Sequence, residues 1–141
     1  MRTFYIFKIN NMFQTFYNDK SNILYKIFKD IYDSDEKEII NSFRLFERIT
    51  IPFNKRVFNN YILFKHKEDL YYTKNDNKHI INNKDEVSKI IVNKTYLKIK
   101  SNRNINSFIK DIICTNECVF VIDFINDDYF WLNKKENKLL V

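Results

Sequence analysis

Two histidines, two cysteines and one carboxylate inside an apolar run are the residues whose types could carry chemistry. His66 and His79 lie thirteen positions apart in polar surroundings, and Cys114 and Cys118 lie four apart. The histidines do not stand at zinc-ligand spacing to the cysteines, so no metal is expected and both histidines read as surface residues. The cysteines could meet across one turn if a helix reached residue 118. The favoured alternative has Cys114 ending a helix and Cys118 opening a buried strand, both as small hydrophobes. Asp123 interrupts Val-Phe-Val-Ile-Asp-Phe. A carboxylate in an apolar setting has a raised pKa, the trait of a general acid or base. The competing reading is a strand-end carboxylate bonded to backbone or to a tyrosine hydroxyl. With no histidine nearby in sequence, the structural reading is preferred and no catalytic residue is assigned.

The chain contains no glycine. Phosphate-cradling loops need backbone that approaches closely at positive φ. A Walker loop, a dinucleotide fingerprint and a nucleophile elbow are therefore excluded, and no cofactor is expected. A second anomaly is aromatic. Phe13 and Tyr17 are i, i+4 neighbours, and Met12 and Phe16 form another such pair about 100° round the same short helix. A short helix on a sheet rarely buries both pairs, and an exposed aromatic pair is a common anchor for a protein partner. The residues alone leave core packing and partner binding equally open.

The elements that must position these groups follow from apolar periodicity. Residues 3–9 are aromatic and β-branched and read as a strand, broken by Asn10-Asn11, which can cap the aromatic helix. Ser21 or Asn22 caps a second helix whose stripe is Ile23, Leu24, Ile27, Phe28 and Ile31. Residues 33–36 start a third, with Ile39, Phe43 and Phe46 as its buried stripe. Leu45 lies about 120° off that stripe and Arg48 points away from the core. Pro52 stands near a fourth helix start, with Phe53, Val57, Phe58, Tyr61 and Ile62 at helical spacing to about residue 65.

Further on, residues 70–73 read as a strand, 74–84 as a polar loop broken by His79-Ile80-Ile81, and 87–92 as a strand or short helix. Residues 96–100 alternate as a strand with one wet face. Asn104 caps the helix of Ile105, Phe108, Ile109, Ile112 and Ile113, which leads into the buried strand of residues 118–124. Asn126-Asp127-Asp128 turns the chain into a returning strand at 129–132. The order strand, helix, strand suggests a βαβ unit with parallel neighbours. The expected fold is α/β (α+β): a single domain over residues 1–141 with a mixed sheet packed by helices.

Composition sets the class. Hydrophobic residues make up 45% of 141, which supports a packed core, and the formal net charge is +6. A basic chain can be drawn to phosphate backbones or anionic lipids. The lysines and arginines are spread along the sequence, however, and an AT-rich coding bias would also enrich Lys, Asn, Ile, Phe and Tyr. The charge therefore reads first as a solubilising surface. No apolar run is long enough for a membrane span and no signal peptide is visible, so a cytoplasmic protein is expected.

Val119-Phe120-Val121-Ile122-Asp123-Phe124 followed by Tyr129-Phe130-Trp131-Leu132-Asn133 resembles the closing segment of the SirA family, the sporulation inhibitors of replication from Firmicutes. The aromatic first strand, Phe13 and Tyr17, and the helix ending Ile27-Phe28-Lys29-Asp30 are similar to that family's opening. Residues 3–32 and 118–133 carry the likeness; 48–52 and 96–113 fit more loosely. The resemblance implies a non-enzymatic monomer that binds the N-terminal domain of the initiator DnaA and blocks initiation. It implies partner contacts by Phe13 and Tyr17 and by the third helix near Leu45 and Arg48. It further implies an acetyltransferase-like scaffold without the cofactor loop, and no direct contact with nucleic acid or membrane. Where the family has a proline after Trp-Leu-Asn, this chain has Lys134, so no role for the tail is carried over. The alternative from a different class is a basic nucleic-acid-binding module. A degenerate acyltransferase with Asp123 as base is a weaker third, opposed by the missing glycine loop.

Overall fold

The β-branched and aromatic runs do form strands, and the sheet they build has the first of them near its middle. The computed structural model describes residues 1–35 and 39–134. In chain order the elements are β1 (Arg2–Lys8), α1 (Asn11–Phe16), α2 (Ser21–Tyr32), α3 (Ile39–Ile49), α4 (Lys55–His66), β2 (Tyr72–Asn75), β3 (Lys78–Asn82), β4 (Val87–Val92), β5 (Leu97–Ser101), α5 (Ser107–Cys114), β6 (Val119–Asp123) and β7 (Asp128–Leu132). The strands form one seven-stranded sheet in the order β2-β3-β4-β5-β1-β6-β7.

Every neighbouring pair is antiparallel, which corrects the expectation of a mixed sheet. The β5–α5–β6 segment is a crossover, but β1 is inserted between its two strands. Both strands run antiparallel to β1 and so parallel to each other without touching. The fold is α+β, and this topology does not support an acetyltransferase-like scaffold.

Alternation across the pleat divides the core in two. Phe4 and Ile6 of β1 join Ile90, Val92, Leu97, Ile99, Val119 and Val121 beneath α4 and α5, which contribute Phe58, Ile62, Phe108, Ile109 and Ile112. Phe7 and Ile9 face the other way, with Phe120, Ile122 and Phe124, against Leu24 and Phe28 of α2 and Ile49 of α3. All five residues of β6 are buried, as a strand covered by helices on both faces must be.

Several local expectations are corrected. Residues 74–84 are not a polar loop but most of the β2–β3 hairpin, paired from Tyr72↔Ile81 to Asn75↔Lys78. Phe43 is 53% exposed; of the expected stripe Phe46 does pack half-buried on the core, joined there by Ile49, and the side chain of Ile39 lies outside the described residues. Val57, Ile105 and Ile113 are exposed. The cap of α5 is Asn106, buried, whose side chain accepts from the Ile109 N–H, rather than Asn104. No side chain caps α2. With no glycine to take left-handed backbone, Asp76, Asn116, Asp127 and Asn133 adopt positive φ at 50–59°, the residues that tolerate it best. Among the described residues no helix is long and apolar enough to cross a membrane.

Candidate functional site

The end of β1 builds a corner that brings together the two helices carrying the residues expected to bind a partner. Asn10 caps α1: its Oδ1 accepts from the Phe13 N–H at 3.1 Å. Its Nδ2 donates to the Arg48 carbonyl at 2.8 Å, and its backbone N–H donates to the Ile49 carbonyl at 2.9 Å. Ile9 bridges Thr50, the Ile51 N–H donates to the Lys8 carbonyl, and Gln14 Nε2 donates to the Ile9 carbonyl. The start of α1 is thereby fixed against the end of α3. A six-residue helix is too short to hold itself in water; here its cap and tether do so.

On that frame Phe13 and Tyr17 are half-buried against the core beneath α1–α3, their rings stacked 6.1 Å apart at 9°. Met12 and Phe16, the other i, i+4 pair, are 69% and 57% exposed. Phe16 meets Tyr17 edge-on at 4.8 Å, and Lys20 Nζ lies 4.6 Å from the Phe16 ring centroid. Leu45 and Arg48 are exposed on α3. Met12 and Phe16 on α1 and Leu45 on α3 are thus exposed apolar side chains on two helices joined at Asn10, with Arg48 exposed at the joint and Lys20 beside Phe16. Phe16 belongs to the i, i+4 pair that the sequence expectation did not select, and it is the more exposed ring. Its exposure depends on which of two stripes 100° apart faces the sheet, and that is a property of tertiary packing.

Asp123 is 1% exposed. Its carboxylate accepts from Arg2 Nε at 2.9 Å, from Asn126 Nδ2 at 2.6 Å and from the backbone N–H groups of Ile125 and Asn126. Burial pushes its pKa up, but the hydrogen bonds from Asn126 and Arg2 outweigh this and hold it below the usual carboxylate range. The preferred reading of a strand-end carboxylate bonded to backbone is what the structure shows, the raised pKa of the catalytic alternative is not, and Asp123 is a charged fastener of the β6–β7 turn. Arg2 extends the fastening to Asp128 at 2.7 Å and Asn104 at 2.9 Å.

The histidines are not surface residues. His79 is fully buried, with Tyr72 Oη 2.6 Å from Nδ1 and Asn59 Oδ1 2.7 Å from Nε2. The amide oxygen only accepts, so Nε2 carries the proton and Nδ1 accepts from the tyrosine, which satisfies a neutral ring. Burial, with Lys74 and His66 nearby, lowers its pKa to about 4. His66 Nε2 lies 2.5 Å from Asp111 Oδ2, and its ring packs on Tyr72 and Phe108. Both imidazoles brace the α4/α5 layer. Cys118 is buried, as a strand-opening hydrophobe should be, whereas Cys114 is exposed. Among the described residues no group of three or more His, Cys, Asp or Glu could hold a metal ion.

Comparison with known proteins gives one family. The sequence profile described as "Sporulation inhibitor of replication protein SirA" matches residues 2–136. No curated protein matches the chain.

Proposed function

The chain belongs to the SirA family of sporulation inhibitors of replication, a family of regulators rather than enzymes, and from that premise we propose that it acts by docking onto the N-terminal domain of the initiator DnaA. The docking surface in this reading is the α1/α3 corner: Phe13 and Tyr17 with Phe16 on one helix, Leu45 and Arg48 on the other. The mechanism is occlusion. A surface that the initiator needs for assembly or for loading its partners is covered, and no bond is made or broken.

The observation that carries this reading is the double tether of Asn10. It caps α1 and binds the Arg48 carbonyl, so two exposed helix segments form one rigid platform. Pre-organised aromatic anchors lose little conformational entropy on binding. The half-buried Phe13–Tyr17 stack supports the exposed Phe16 ring as a packed base, the arrangement in which a rim of near-neutral contacts surrounds a hot spot.

The test is a pulldown of the DnaA N-terminal domain by the full chain and by its Phe13→Ala/Tyr17→Ala variant. Loss of about 2 kcal/mol or more of binding is expected if the pair are hot spots, with far-UV circular dichroism checking that the variant stays folded. A folded variant that retains the domain as well as the parent would remove these residues from the interface.

A further inference from the structure

The sheet collects lysines that the sequence scatters. In β3, β4 and β5 burial alternates strictly, and the buried positions all face α4 and α5. The opposite face over β2–β5 is left open. It carries Lys78 and Ile80 of β3, Lys89 and Ile91 of β4, and Lys98 and Lys100 of β5, with the register pairing Lys89↔Lys100, Lys78↔Ile91 and Ile91↔Lys98. Among the described residues, no strand position on this face of β2–β5 is Asp or Glu. Lys89 and Lys100 are direct cross-strand partners, and like charges so placed repel. A polyanion laid across them would relieve that repulsion.

Next to the lysines the face becomes aromatic. Tyr5 is the cross-strand partner of Lys98, and Lys98 Nζ lies 5.5 Å from its ring centroid. From there an open groove of about 400 Å³ runs between β1 and the α2/α3 layer, lined chiefly by rings including Tyr5, Phe7, Tyr32, Phe43, Phe46 and Tyr96. A smaller hollow of about 210 Å³ shares Tyr5 and Tyr32 with it and opens onto Lys98 and Lys100. The larger groove is within the roughly 300–1,000 Å³ typical of sites for small organic groups.

Cations beside an open groove lined by partly exposed rings, with Tyr32 stacked on Phe124 and exposed on its other side, match one polymer, in which negative charge and planar rings alternate along the chain. We propose that this face binds single-stranded nucleic acid, with phosphates over Lys78, Lys89, Lys98 and Lys100 and bases against Tyr5, Tyr32 and Tyr96. Unpaired bases are required because stacking needs free ring faces, and a sheet face has no projecting helix to enter a duplex groove. An acidic protein surface would satisfy the lysines but leave the groove empty. The surface does not include Phe13, Tyr17, Leu45 or Arg48, so this reading and the docking reading fail separately.

The experiment is fluorescence anisotropy of a labelled oligothymidylate of about 15 nucleotides, titrated with the full chain from about 50 mM salt upward. Saturable binding is expected, with a log–log salt slope of about −3 for four lysine–phosphate contacts at about −0.7 each. Lys98→Glu/Lys100→Glu should weaken binding at least about tenfold and reduce the slope by about 1.4. Tyr32→Ala should weaken binding about tenfold with the slope unchanged, because stacking is insensitive to salt. Absence of saturable binding would overturn the proposal, as would indifference to the lysine reversals in variants whose urea midpoint is unchanged. Displacement by polyglutamate at equal charge concentration, with Tyr32→Ala silent, would also overturn it and identify an acidic protein partner instead.

Discussion

Lowering the pH from 7 to 4.5 is expected to remove a large part of the stability of this fold before the buried carboxylates Asp123 and Glu86, both held below the ordinary range, are protonated. The cause is His79. Its ring is fully buried and neutral, held between Tyr72 and Asn59, and its pKa stands at about 4 against an ordinary 6.5. A group whose folded pKa is depressed in this way binds its proton more readily in the unfolded chain. Stability therefore rises with pH across the window between the two values and is fully present above about 6.5. The gap corresponds to roughly 3 kcal/mol, a large share of the 5–15 kcal/mol typical of a domain.

Asp123 and Glu86 act in a lower window. Burial pushes the Glu86 carboxyl up, but the Ser88 and Ser107 hydroxyls and the Ser107 N–H hold it below its ordinary value, and Asp123 is lowered likewise. Their contribution is present above the unfolded carboxylate pKa of about 4 and is lost as the pH falls through their folded values. Urea melts should thus show one loss between pH 6.5 and 4 and a second below it. His79→Gln should start less stable and lack the first. A wild-type urea midpoint that is flat from pH 7 to 4.5 would contradict this account of the buried imidazole.

Phe28→Ala is expected to lower stability by about 3–5 kcal/mol. Phe28 is 1% exposed. It stacks on Phe7 at 4.4 Å and lies within 6.2 Å of the Phe46 and Phe120 rings. With Leu24 it is one of two buried residues of α2, so its removal leaves a ring-sized void where α2, α3 and the sheet meet. A shift in the urea midpoint at unchanged m-value would report it. A change below about 1 kcal/mol would mean that α2 does not depend on this contact.

Much of this was legible in the sequence because the relevant signals are local. The uninterrupted apolar run before Asp123 marks β6, and Asn126-Asp127-Asp128 marks its turn. Asn10 marks the start of α1, and the spacing of Leu24 and Phe28 marks the buried face of α2. What was hidden depends on long-range pairing. The insertion of β1 between β5 and β6 leaves no trace in the strand–helix–strand order, which reads equally well as parallel neighbours. The β2–β3 hairpin is rich in Lys and Asn because β2 is an edge strand and one face of the pair is open, so its sequence resembles a loop. His79 sits among polar neighbours, and only the pleat turns it inward. The four lysines of the open face span residues 78–100 and become neighbours only through the register of three strands.

The proposed docking surface shows the same division. Asn10 was legible as a helix cap, and Phe13 and Tyr17 as an i, i+4 pair that the family resemblance assigns to a partner. That Phe13 and Tyr17 are half-buried supports, while Phe16 carries the exposed ring, follows from how α1 is fixed to α3. The most direct measurement is a calorimetric titration of the intact chain into the isolated N-terminal domain of the host's own DnaA, run beside a Phe16→Ala/Leu45→Ala variant. Both substitutions lie on exposed positions and should leave the fold intact. A saturable one-to-one heat for the parent, weakened about tenfold or more in the variant, is the predicted result. No heat for the parent, or equal affinity for a folded variant, would contradict docking through the α1/α3 corner.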